Sequence, residues 1–259
     1  MSTAASTTAD SPWTLADDHA RLELPKLQAT VSHAKPDAGI TTVRWQSQPV
    51  VDVRLLQLHS PACSPTTPPL VDAYVRGCDL VAGYAEAPQG AVQPHVYFRA
   101  GQQGSAAGLE LIVSMQTSLL DSQPESLVTT ELPAREVLVL DSVREHVPES
   151  CPLSGLPANY QGLAGKAAYL FVFRLTDSLS YAEMVHPGDF VSATLERTTS
   201  SSSETPRLKL TWRLFPERLE KGVIRRCRIA GWFLPREGDQ QQAADLFRRM
   251  VEEPLPLTA

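Results

Sequence analysis

The chain lacks the short motifs that identify common catalytic and cofactor sites. It contains no GxSxG nucleophile elbow, no GxxxxGK[ST] phosphate loop and no GxGxxG dinucleotide fingerprint. Its six histidines are scattered singly, without the HxH or HExxH spacing that suits a zinc site. The sequence therefore predicts neither a metal nor a cofactor, and it leaves open whether the protein is an enzyme.

Cysteine and long apolar runs are also scarce. The four cysteines, Cys63, Cys78, Cys151 and Cys227, are far apart and show no CxxC spacing, so no redox motif is predicted. No stretch approaches the roughly 20 apolar residues that span a bilayer, and the first residues lack the basic and apolar regions of a secretory signal. We therefore expect a cytoplasmic protein with reduced thiols and no membrane partner.

The chain has no excess of positive charge. Lys and Arg number 23 against 29 Asp and Glu, which gives a net charge of -6. Nucleic-acid binding depends on clustered Lys and Arg, and the main basic cluster, Arg225, Arg226 and Arg228, falls on a predicted strand. Charges in that position usually face solvent or protect a sheet edge. No nucleic-acid partner is predicted.

Proline, in contrast, is abundant, with 21 residues in 259. Each proline removes a backbone donor and interrupts helices and central strands, so many short elements are expected. Several runs alternate apolar and polar residues with a period of two, including LELIVSM at 109–115 and LKLTWRL at 208–214. We predict a mostly β fold of antiparallel, sandwich-like units.

One helix is predicted, over 239–253, close to the C-terminus. Asp239 suits its first turn, and Pro254 ends it. Its apolar stripe consists of Ala243, Leu246, Phe247, Met250 and Val251. A stripe at this spacing is typical of a terminal helix that docks on a sheet. Residues 13–27 mix charges with leucines and fit either a short helix or an irregular arm.

Two segments about 110 residues apart resemble each other. Leu70–Glu86 reads LVDAYVRGCDLVAGYAE and Ser180–Glu196 reads SYAEMVHPGDFVSATLE, with Asp79 and Asp189 at matching positions. A repeat of this kind predicts two similar β-units that arose by internal duplication. A single pseudo-symmetric sandwich, in which the two halves share a core, is the alternative.

The predicted domain organisation follows from this repeat and from local composition. We expect a disordered N-terminus over 1–12, a first β-unit over 13–141, a Pro- and Gly-rich connector over 142–165, and a second β-unit over 166–259 that carries the helix.

The repeat also supplies candidate site residues. It places Arg76 and Asp79 opposite His186 and Asp189, and a histidine oriented by a carboxylate is a common acid–base pair. Gly, Pro and Asp also suit simple hairpin turns, which is the favoured interpretation. The catalytic candidates are His186, Asp189, Asp79 and His95. The ligand-binding candidates are Arg76, Tyr84 and Tyr97.

Two functional hypotheses follow. The preferred one is a non-catalytic binding or interaction module whose ligand is a protein or a carbohydrate, since no catalytic motif is present. The alternative is a β-sandwich enzyme that acts on sugars through a His/carboxylate acid–base pair, which requires both groups to meet in one pocket. The sequence does not determine the oligomeric state.

Overall fold

Two antiparallel β-sheets pack face to face in this computed structural model, and one helix covers part of the outer surface of the second sheet. The structure describes residues 11–60, 70–86, 92–140, 147–161, 167–198, 205–215 and 217–254. The predicted disordered N-terminus therefore lies outside the described residues, except for Ser11 and Pro12.

The first sheet contains ten strands. They are β1 (Trp13–Leu15), β2 (Ala20–Glu23), β3 (Leu27–Val31), β4 (Ile40–Trp45), β5 (Gln48–Pro49), β6 (Arg54–His59), β11 (Ser126–Pro133), β14 (Ala158–Gln161), β17 (Ser192–Thr198) and β18 (Arg207–Leu214). Their order is β1-β2-β3-β4-β6-β11-β18-β17-β14, with β5 paired to β4.

The second sheet contains nine strands. They are β7 (Leu70–Arg76), β8 (Asp79–Tyr84), β9 (Val92–Gln103), β10 (Ala106–Thr117), β12 (Glu136–Leu140), β13 (Glu149–Cys151), β15 (Leu170–Arg174), β16 (Leu179–Val185) and β19 (Arg225–Pro235). Their order is β13-β12-β15-β16-β19-β10-β9-β8-β7, so the last strand of the chain lies near the centre of the sheet.

The core lies between the facing surfaces of the two sheets. Side chains alternate between the two faces of a strand, and on β10 the inward residues are the predicted ones. Leu109, Leu111, Val113 and Met115 are at most 3% exposed. The same core contains Trp13 from the first predicted unit and Phe233 from the second, so the two halves of the chain share it.

Helix α1 (Asp239–Glu252) confirms the predicted C-terminal helix. Its apolar stripe packs on the outer face of β15, β16 and β19, where it buries a second, smaller cluster that includes Val172, Met184 and Ala230. At the C-terminal end of the helix, Arg228 donates hydrogen bonds to the carbonyl oxygens of Met250 and Glu253. A cation at this position satisfies free carbonyls and complements the helix dipole.

The predicted fold class is confirmed: the structure is mostly β, with antiparallel sheets in a sandwich and one C-terminal helix. The internal duplication is not confirmed. β7 and β8 form a hairpin within the second sheet, whereas the matching segment contains β16 in the second sheet and β17 in the first. The unit boundaries 13–141 and 166–259 stay predictions.

Two regions differ from the local expectation. The segment expected to be a short helix or an arm instead forms the edge strand β1 and its neighbour β2 in the first sheet, followed by β3. Within the predicted connector, the described residues 147–161 include β13 and β14, which are edge strands of the second and the first sheet. Short edge strands carry little sequence pattern because only one neighbour constrains them. None of the helices in the described ranges has the length and apolar character that crossing a membrane requires.

Candidate functional site

The outer face of the second sheet carries a polar cluster where α1 does not cover it. On β8, β9 and β10, the residues that point away from the core include Asp79, Tyr97, Arg99 and Glu110, while their neighbours Leu80, Phe98 and Leu111 point into it. Each of these three strands is paired on both sides, so the positions of these side chains are fixed by two neighbouring strands. We refer to Asp79, Tyr97, Arg99 and Glu110 as the outer-face cluster.

Asp79 and Arg99 are the most tightly held pair of the cluster. They are directly opposite each other on β8 and β9, and Arg99 donates two hydrogen bonds to the carboxylate, from Nε at 2.8 Å and from Nη2 at 3.1 Å. Asp79 is 4% exposed. The hydrogen bond to Asp79 raises the pKa of Arg99 above its already high value. Such a bidentate ion pair has a well-defined geometry, so it can hold neighbouring side chains in position.

Glu110 is the next residue in the same row of the sheet, directly opposite Arg99 on β10. Among the described residues its carboxylate has no hydrogen bond or ion pair, and the side chain is only partly exposed. Burial raises the pKa of Glu110, against the opposing effect of the positive charges of Arg228 and Arg99. A carboxylate whose pKa moves toward neutrality and whose oxygens are unoccupied is well suited to general acid–base chemistry.

Tyr97 lies diagonally across from Glu110. It is opposite Ile112, two residues further along β10, and diagonal cross-strand neighbours are separated by about 7–8 Å. Burial also raises the pKa of Tyr97, so its phenol stays protonated near neutral pH and can donate a hydrogen bond. Glu110 and Tyr97 thus present a hydrogen-bond acceptor and a hydrogen-bond donor on the same face of the sheet.

Four of the seven predicted site residues lie on this outer face. Asp79 and Tyr97 belong to the cluster, and Arg76 is at its rim on β7, with Nη2 3.9 Å from the Asp79 carboxylate. His95 also points outward, but it is opposite Gly83, four residues along β8 from Asp79. Four residues of strand correspond to about 13 Å, so the register does not bring His95 and Asp79 together as an acid–base pair.

His186 and Asp189 lie elsewhere, in the turn that follows β16. The Asp189 backbone N–H donates to the His186 carbonyl, and the Gly188 N–H donates to His186 Nδ1 at 3.1 Å. The Asp189 carboxylate accepts the backbone N–H of Arg228 at 3.0 Å, and burial raises the pKa of Asp189. Asp189 lines a cavity of about 130 Å³ at one end of the sandwich. These hydrogen bonds are those of a turn, as the favoured interpretation expected.

Tyr84, a predicted ligand-binding residue, does not reach the outer face. It is the inward-pointing residue at the end of β8 and is 2% exposed. Its hydroxyl donates a 2.5 Å hydrogen bond to the carbonyl of His33. The physical reason is the strand period of two: Asp79 points outward, so Tyr84, five residues later, points into the core.

The sequence interpretation missed Arg99 and Glu110. Both lie in strands that are predicted from their apolar residues, HVYFRA and LELIVSM, and that pattern by itself says nothing of the polar residues between them. A usable signal was present, because a charged residue between two core residues of a central strand must be on the other face of the sheet. What the sequence could not provide was the register that makes them neighbours.

A cavity elsewhere in the molecule has a chemically plainer lining than the outer-face cluster. A cavity of about 480 Å³ at one end of the sandwich is lined by Trp45, Leu175, Leu179 and a rim of prolines, amides and hydroxyls. Of its lining residues, only Asp52 and Arg135 carry ionisable groups. Across the described ranges, no three His, Cys, Asp or Glu residues are grouped so that they could hold a metal ion. The outer-face cluster is therefore the candidate site.

No protein-family model and no curated protein sequence matches the chain. Solved structures with the same architecture do match. A protein from a Synechocystis species has a TM-score of 0.57 and 9% identity over 90% of this chain and 99% of its own. A candidate aldose 1-epimerase from Escherichia coli has a TM-score of 0.52 and 10% identity over 83% of this chain and 98% of its own.

A candidate aldose 1-epimerase from Klebsiella pneumoniae also has a TM-score of 0.52, with 6% identity over 95% of this chain and 90% of its own. These comparisons contradict the preferred hypothesis of a non-catalytic binding module and favour the alternative, because two of the matched structures are described as candidate aldose 1-epimerases. At such low identity the likeness establishes the fold alone. The chain therefore has the sandwich fold of these structures.

Proposed function

We propose that the protein is an enzyme that acts on free sugars and interconverts their anomers on the outer face of the second sheet. The observation that carries this proposal is the position of Glu110, a partly buried carboxylate with unoccupied oxygens, diagonally across from the phenol of Tyr97. The fold likeness to candidate aldose 1-epimerases supports the same class of substrate.

The chemistry needs one base and one acid. Glu110 accepts the proton of the anomeric hydroxyl while Tyr97 donates a proton to the ring oxygen, so the bond between C1 and the ring oxygen breaks and an open-chain aldehyde forms. Rotation about the C1–C2 bond and reversal of both proton transfers close the ring with the opposite configuration. No atoms are gained or lost, and each residue returns to its starting protonation state.

The neighbouring residues have positioning roles. Arg99, held by Asp79, places a positive charge opposite Glu110, and together with the larger effect of Arg228 this charge opposes the rise in the Glu110 pKa that burial causes.

The test is the rate of anomer exchange, measured by polarimetry or by NMR magnetisation transfer on a panel of aldohexoses and aldopentoses, above the spontaneous rate. We expect acceleration by the wild-type protein and a loss of about 100-fold in kcat/KM for Glu110→Gln, the typical size of a general-base contribution. Tyr97→Phe is expected to lose a similar factor, mainly in kcat.

The matched control is Glu196→Gln, which changes a partly exposed carboxylate on β17 of the other sheet in the same way. It is expected to retain full activity. If the wild type does not exceed the spontaneous rate with any sugar of the panel, or if Glu110→Gln is as active as Glu196→Gln, the proposal is wrong.

A further inference from the structure

Strand β7 is an open edge of the second sheet. It pairs with β8, and in the part of the chain that the structure describes no strand pairs with its other side. Val71 is 63% and Tyr74 is 43% exposed. An open edge with exposed apolar residues invites pairing with another chain, and proteins usually protect it with charges.

The β7–β8 hairpin determines which backbone groups of β7 are free. Arg76 and Asp79 flank its two-residue turn, so they form the hydrogen-bonded pair that closes the hairpin. Because hydrogen-bonded and non-hydrogen-bonded positions alternate along an antiparallel strand, Tyr74 and Asp72 also direct their N–H and C=O groups toward β8. Ala73 and Val75 direct theirs outward, to the open side.

The side chains of β7 are complementary to those of a second, antiparallel β7. With a two-fold axis at Tyr74, the two Tyr74 residues are opposite each other, and Asp72 of one copy is opposite Arg76 of the other. The backbone groups of Ala73 then meet those of Val75 in the other copy. The charged residues are in non-hydrogen-bonded pairs, where side chains approach most closely. The charges that protect this edge from most partners are therefore attractive toward a copy of itself.

We propose that two copies of this protein associate through antiparallel pairing of their β7 strands about a two-fold axis at Tyr74. The pairing joins the two nine-stranded sheets into one continuous sheet. It contributes four backbone hydrogen bonds between Ala73 and Val75 and two symmetry-related ion pairs between Asp72 and Arg76. An interface of this kind is isologous, the commonest type among homodimers.

Two local contacts agree with this register. Arg76 is free to turn outward, since Asp79 is already satisfied by Arg99 at 2.8 and 3.1 Å and is 3.9 Å from Arg76. The carbonyl of Gly77 accepts the Ser11 hydroxyl at 2.7 Å, so intermolecular pairing ends before the turn.

The test is a charge exchange on the full chain, followed by sedimentation over a range of protein concentrations. The wild type is expected to be a dimer at high concentration. Arg76→Asp and Asp72→Arg each place like charges opposite one another across the axis, so each is expected to raise the dimer Kd by about tenfold or more. The double variant Asp72→Arg/Arg76→Asp restores opposite charges and is expected to return the Kd toward the wild-type value.

A reversal of charge elsewhere serves as the control: Arg197→Asp on β17 changes an exposed arginine of the other sheet and is expected to leave the Kd unchanged. Circular dichroism and thermal unfolding establish that each variant is folded, and recovery in the double variant excludes a folding defect as the cause of dissociation. A wild type that is monomeric at every concentration, or a double variant that dissociates like the single ones, overturns the proposal.

Discussion

Trp212 of the first sheet donates its indole N–H to the carboxylate of Glu183 in the second sheet, at 2.7 Å, in the middle of the core. Glu183 is fully buried and also accepts hydrogen bonds from Tyr181 at 2.7 Å and from Thr130 at 2.6 Å. Burial raises the pKa of Glu183, and the three hydrogen bonds oppose that rise. The carboxylate therefore links the two sheets through Trp212 and Thr130, and it also binds Tyr181 on its own strand, with all three donors shielded from water.

We predict that Glu183→Leu destabilises the protein by at least about 3 kcal/mol, because each buried donor left without an acceptor costs about 1–3 kcal/mol. Glu183→Gln keeps an acceptor for Trp212 and is expected to cost less. The measurement is urea unfolding of both variants. If Glu183→Leu is as stable as the wild type, the three hydrogen bonds do not hold the sheets together.

Glu110→Gln is predicted to change the pH dependence of stability. Since the pKa of Glu110 is higher in the folded protein than its ordinary value of 4.5, the folded state binds this proton more tightly. The resulting stabilisation is present below the ordinary pKa and is lost as pH rises through the folded value. Glutamine carries no charge at any pH and so avoids this loss. The variant is therefore expected to be as stable as the wild type at low pH and more stable than the wild type at neutral pH. Thermal unfolding at several pH values checks this, and a constant difference between the two proteins at all pH values would contradict it.

For Asp239→Asn, the difference in stability from the wild type is predicted to depend on pH in the opposite way. Burial alone would raise the pKa of Asp239, but hydrogen bonds from Arg174 at 3.1 and 3.2 Å and from Ser180 at 2.7 Å outweigh it and lower the pKa. The stabilisation is present above the ordinary pKa of 3.8 and disappears as pH falls through the lower folded value.

At neutral pH the Asp239→Asn variant is therefore expected to lose about 1–3 kcal/mol, the cost of weakening charge-assisted hydrogen bonds. Once the pH has fallen below the lowered folded pKa of Asp239, the stabilities of the two proteins are expected to converge, since both side chains are then neutral. Circular dichroism during acid titration measures this. A difference in stability between the two proteins that persists in acid would show that the substituted amide packs poorly for a reason other than charge.

Gly108→Ala is predicted to destabilise the centre of the second sheet. A Cβ atom there would approach the Gly231 carbonyl oxygen to 2.2 Å and the Trp232 Cα to 2.9 Å, and these backbone atoms cannot move aside without displacing β19. Strain of this kind costs about 1–3 kcal/mol. Gly155→Ala is the control, because a Cβ meets nothing within 4 Å at that position. Equal melting temperatures for the two variants would contradict the prediction.

The parts of the fold predictable from the sequence were those encoded locally. Gly77 between two β-rich runs predicted the β7–β8 hairpin, and the stripe from Ala243 to Val251 predicted α1 to within a residue at its end. Alternation predicted the inward residues of β10. Each of these signals depends on residues within about one element, where period and turn chemistry are sufficient.

The parts that were missed depend on pairing between distant segments. The resemblance of 70–86 to 180–196 reflected similar strand composition, but β17 pairs with β18 of the first sheet and β8 with β9 of the second. The candidate site was missed for the same reason. Asp79 and Glu110 are neighbours of Arg99 only because three strands are in one particular register. A one-residue slip in any of them would turn its side chain to the other face.

The central position of β19 has a consequence for how the chain is made. Until Arg225–Pro235 has left the ribosome, β10 and β16 have no strand to join them, and the second sheet exists only as two separate halves. Each half then presents an unpaired edge and an apolar face, the features that promote aggregation and recruit chaperones during synthesis. The complete second sheet can therefore form only after β19 has been synthesised.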